Sequence, residues 1–134
     1  MTVSGPRRDL TGHPMFDLPI DARTAIRIVC GLFFLPHTVA KLMHIDRASQ
    51  LFHKVGFRPA RVFVVLTATM ELIAAACLIS GYYVKVGATL AAIVLFGAAY
   101  AIGRNHGLKW RWQHPGIEYM LFWAIICLFV AYLP

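Results

Sequence analysis

Glu71 is the one full charge inside an otherwise apolar run, residues 62–80, VFVVLTATMELIAAACLIS. At about 1.5 Å of rise per helical residue it lies roughly 15 Å beyond Arg61, in the middle of a hydrocarbon layer about 30 Å thick. A carboxylate at that depth costs about 2.5–3.5 kcal/mol on insertion scales, so it is expected to turn inward to a partner or a proton. His37 and Lys41, one helical turn apart on the preceding apolar run, are the nearest candidates. A second carboxylate, Glu118, opens the last apolar run beside Tyr119. Carboxylates and an imidazole next to an apolar wall are the residue types that relay protons, which makes His37, Glu71 and Glu118 the candidate catalytic groups. Lys41, Tyr100, Arg104, Trp110, Trp112, His114 and Tyr119 add cations, hydroxyls and ring faces, and are the candidate substrate contacts.

Four apolar runs position these residues: about 25–43, 61–80, 86–103 and 115–133. Each is long enough to span. Pro36 is expected to kink the first, and Arg27 and Lys41 to snorkel from its ends. Between the first two, DRASQLFHKVG offers Asp46 as an N-cap, Ala48, Leu51, Phe52 and Val55 on one face, and Gly56 as a stop: a short interfacial helix. Pro59 suits the first turn of the second span, Gly81 closes it, and the connection to the third allows only a tight hairpin. Gly87, Ala91, Gly97, Ala98 and Ala101 are small enough for close helix approach. The expected fold is therefore an all-α membrane protein, an antiparallel four-transmembrane-helix bundle with a short interfacial helix between spans 1 and 2. It forms one domain, 25–134, preceded by an extended or interfacial arm, 1–24, rich in proline.

Antiparallel threading gathers the polar side chains, apart from Arg27 and Lys85, at one mouth beside the two longer loops. Each has a plain alternative. Lys41 and Arg104 can be anchors, and Trp110, Trp112 and Tyr119 an interfacial belt. His37 can be a satisfied interior histidine, and Glu71 can form a purely structural ion pair with Lys41 or His37. Glu118 can simply favour the positive end of its helix, worth about 0.3–1 kcal/mol.

Composition sets the class. The 134 residues are 59% hydrophobic and only 14% charged, with mean hydropathy +0.65, well outside the range of water-soluble domains. The net charge of +7 sits in loops between apolar runs, where it meets lipid headgroups rather than nucleic acid. Lys41, Arg47, Lys54, Arg58, Arg61, Arg104, Lys109 and Arg111 outnumber Arg7, Arg8, Arg23, Arg27 and Lys85, which favours the two longer loops inside. Cys30, Cys77 and Cys127 lie in apolar runs without ligand spacing and read as buried structural thiols, and no metal motif is present. The polar segment before the first run and the lack of a small-residue cleavage pattern lead us to expect that the first span is retained.

With RIVCGLFFLPHTVAKLM (Arg27, Gly31, Phe34, His37, Lys41), the GF-x-P-A entry at 56–60, MELIAAACLISGYYVKVGA with Glu71, and GIEYMLFW with Glu118 and Tyr119, the chain resembles the DoxX family. These are small four-span membrane proteins related to the small subunit of thiosulfate:quinone oxidoreductase. Pro36 and the run 109–114 depart from the family pattern. The resemblance implies a subunit of a membrane oxidoreductase complex that touches the quinone pool, with other membrane or peripheral subunits as partners, in the cytoplasmic (inner) membrane of a prokaryote. Quinone is the implied small molecule. The chain has no flavin, haem or iron–sulfur motif, so electrons would come from a borrowed cofactor. Two other readings stand beside this one: a scaffold or assembly subunit with a structural polar network, and a carrier of small anions or sulfur species through the basic mouth.

Overall fold

A computed structural model of the chain describes residues 20–107 and 116–133. Among them are five helices and no strand: α1 (Ala22–Met43), α2 (Ile45–Val55), α3 (Ala60–Ser80), α4 (Val84–His106) and α5 (Ile117–Tyr132). α1, α3 and α4, of 22, 21 and 23 residues, are long and apolar enough to cross a membrane, whereas the apolar α5 has 16 residues. Most of the expected arm, together with Trp110, Trp112 and His114, lies outside the described residues.

The packing follows from side-chain size. Ala74, Ala75, Ala88, Ala91, Ala92, Ala99 and Ala124 fill the core, while Leu32, Val39, Leu66, Ile73, Ile93, Phe96, Phe122 and Phe129 face outward. A water-soluble bundle would bury the large aliphatics. Here small residues let the backbones approach, and the large ones face a surrounding that does not repel them. With the family evidence given below, this makes the chain an integral membrane protein.

α1 packs on α3, α3 on α4 and α4 on α5, with a shorter α1–α5 seam closing the ring. Polar ties at the helix ends fix the directions. Arg27, near the start of α1, donates to the carbonyls of Leu78 and Ile79 at the end of α3. Arg23 donates to the Val130 carbonyl near the end of α5 at 3.0 Å. Both neighbours of α1 therefore run antiparallel to it. Arg27 does not snorkel: it caps carbonyls that the end of α3 leaves without an intrahelical partner.

Several boundaries differ from expectation. α1 starts three residues early because Asp21 caps it, accepting from the Thr24 amide at 2.9 Å. Asp46 is not a cap. His44 holds that position, and Asp46 sits in the first turn of α2, paired with Arg61. Pro59 is the residue before α3 rather than part of its first turn, while Gly56 and Gly81 end their helices in the left-handed region as expected. Ala48, Leu51, Phe52 and Val55 are the half-buried side of α2, which leans on α3 and α4. α4 extends at both ends beyond 86–103.

The Asp21 cap gives one pH-dependent prediction. The bond from Thr24 holds the Asp21 carboxyl below its usual range. Its contribution is thus present above the unfolded-state value and is lost as pH falls through the lower folded-state value. The protection factor of the Thr24 amide should drop across that acid range in the native chain, whereas Asp21→Asn should show no such drop.

Candidate functional site

Glu71 is 1% exposed in the middle of α3, and α1 brings three groups to it from adjacent turns. Lys41 Nζ donates to Oε1 at 2.5 Å, Thr38 Oγ1 donates to Oε2 at 2.8 Å, and His37 Nε2 stands 3.8 Å from Oε1. Residues 37, 38 and 41 share one helical face, which explains how a single helix supplies all three. Lys41, only 14% exposed, turns inward instead of snorkelling. Its ammonium and the Thr38 hydroxyl satisfy both carboxylate oxygens, the condition under which a buried charge is tolerated.

Two cavities meet at His37. One is a narrow slot along the α1–α5 seam, with a volume of about 50 Å³ and open along one side. Phe33, Phe34, Tyr119, Met120 and Trp123 form its walls, with Cys30 and Cys127 on the α1 and α5 sides. Phe33 stacks on Trp123 with centroids 5.3 Å apart, and Tyr119 meets the same indole edge-on. Flat ring faces along an apolar cleft suit a planar ligand. The other cavity is a basic cleft between the end of α1 and α2, lined by His37, Lys41, His44, Arg47 and Lys54. His37, 48% exposed at its side chain, is common to both.

The structure thus brings His37, Lys41 and Glu71 together and places Tyr119 in the adjoining slot. Glu118 sits in the first turn of α5 with its carboxylate folded against Gly116, where a Cβ would stand 2.3 Å from Oε2. It lines neither cavity. Tyr100 and Arg104 are exposed on α4 and also line neither. Trp110, Trp112 and His114 lie outside the described residues. Thr38, Phe33 and Trp123 were not among the candidates. For Thr38 the signal was available, since a hydroxyl one turn before Lys41 shares its face. Among the described residues no group of three or more His, Cys, Asp or Glu could hold a metal ion.

No curated protein and no solved structure matches the chain. The DoxX family model matches residues 22–104, which contain α1 to α3 entire, most of α4 and the whole Glu71 cluster. By that match over more than half its length, and with three helices fit to cross a bilayer, the chain belongs to the DoxX family of membrane proteins.

Proposed function

We propose that the chain is a membrane subunit of a quinone-linked oxidoreductase complex in a prokaryotic cytoplasmic membrane. In this reading α5 is the fourth of four antiparallel spans and α2 lies along the membrane surface. One observation carries it: His37 borders the aromatic slot while standing beside the Glu71–Lys41 pair. Phe33, Tyr119 and Trp123 would hold a flat ring, and the opening of the slot along the seam admits a ligand from lipid. A bound quinone supplies an acceptor for two electrons and two protons. His37 Nε2 holds or moves a proton at the mouth of the slot, and the Glu71 carboxylate, fixed by Thr38 and Lys41, steadies the charge that His37 gains. Partner subunits bring the electron donor.

The test uses the chain in nanodiscs and its reconstituted complex. A short-chain quinone should raise the melting temperature, and Trp123→Ala should weaken binding about tenfold, equivalent to about 1.4 kcal/mol. His37→Ala should lower quinone-dependent turnover by about 10²- to 10⁴-fold, as for loss of an acid–base group. Absence of quinone binding, with turnover unchanged in Glu71→Gln, would rule the reading out. The full pairing of Glu71 favours a second reading, a scaffold whose polar cluster is structural. In that case Glu71→Gln lowers the yield of assembled complex and leaves turnover per complex intact.

A further inference from the structure

All three cysteines are thiols, and two of them share a slot. Cys30 on α1 and Cys127 on α5 are each 1% exposed and line the same aromatic slot from its two sides. They lie on the seam between the Arg23–Val130 tie at one end and the Phe33–Trp123 stack toward the other. Cys77, by contrast, packs beneath Gly87 at the α3–α4 contact, outside the slot.

We infer that Cys30 and Cys127 are a redox-active dithiol at the inner end of the slot, oxidised to a disulfide by a quinone seated there. The inference rests on the quinone reading of the slot and adds an electron store that the chain itself owns. The balance closes without another reactant. Two S–H bonds break and one S–S bond forms; the electron pair and both protons pass to the quinone, which leaves as quinol. Two buried thiols that line one slot from facing helices are placed for a bond between them. His37, seven residues or about 10 Å along α1 from Cys30, is placed to pass protons between the slot and the basic cleft. A partner dithiol or other two-electron donor then restores the pair.

The full-length chain in nanodiscs, reduced, freed of reductant and kept anaerobic, is mixed with a short-chain benzoquinone. Thiols are then counted by maleimide mass tagging after denaturation. Two of the three thiols should disappear with one equivalent of quinol formed, and peptide mass spectrometry should find Cys30 joined to Cys127. Cys77→Ser should still lose two thiols, while Cys30→Ser and Cys127→Ser should each keep both of their remaining thiols. Retention of all three thiols in the native chain, or quinone-driven loss in Cys30→Ser, would overturn the inference. Quinone-induced stabilisation of the native chain separates the two failures. If the native chain binds quinone and keeps its thiols, the dithiol alone is wrong; if it does not bind, the slot is not a quinone site.

Discussion

Glu71→Ala is expected to destabilise the protein by about 3–5 kcal/mol, because it leaves the Lys41 ammonium inside the helices without its counter-charge. Two features set the size. Glu71 is almost fully buried, so its carboxylate has no water as a substitute partner, and Lys41 is held inward with little exposure, so its ammonium meets water only at the edge of the basic cleft. Lys41→Met should be milder, since it leaves Glu71 its bond from Thr38 and fills the volume of the lysine stem. The double variant Glu71→Leu/Lys41→Met should recover most of the loss, as apolar replacement of a buried pair commonly does. Denaturant or SDS titration followed by far-ultraviolet circular dichroism measures all three. A Glu71→Ala midpoint equal to that of the native chain would mean that the pair does not hold α1 on α3.

Gly87→Ala is the second large effect, expected to cost about 1–3 kcal/mol. A Cβ at Gly87 would stand 2.4 Å from the Cys77 Cβ and 3.3 Å from the Ala74 carbonyl oxygen, so α3 and α4 must part to admit it. The obstacle is a Cβ, not a side-chain tip that can swing away. Cys77→Gly combined with Gly87→Ala should therefore relieve the strain. Gly97, ten residues along the same helix, provides the contrast. Nothing lies within 4 Å of its added Cβ, so Gly97→Ala should stabilise by about 0.5–1 kcal/mol through backbone entropy alone. Thermal melts of the two alanine variants should move in opposite directions.

The Gly87 and Gly97 contrast also marks how far the sequence can be read. Composition identifies a helix rich in small residues, but helical rotation decides which of them meets a neighbour, and Gly97 was grouped with Gly87 for lack of that phase. Glu71 was legible because one charge in an apolar run has few ways to be satisfied, and antiparallel threading placed Lys41 and His37 at its depth. Thr38 was overlooked because a hydroxyl in an apolar helix commonly bonds back to its own backbone, as Thr69 does here. Arg27 was read as an anchor because its true partners, the last carbonyls of α3, exist only once the helices are packed. The Cys30–Cys127 pairing was illegible for the same reason: each thiol alone fits a buried structural residue, and only the seam joins them. Glu118 illustrates the reverse. The plain expectation of a carboxylate at a helix start describes its position in the first turn of α5.

The Glu71–Lys41 bond also bears on how the chain enters its membrane. Its two ends are 30 residues apart, so at about 5–20 residues per second the lysine emerges roughly 2–6 s ahead of the glutamate. During that interval the first helix carries an ammonium without the carboxylate that pairs with it in the folded chain. It must either wait at the headgroups or pass into lipid together with the third helix as a hairpin, which couples the order of synthesis to the order of insertion.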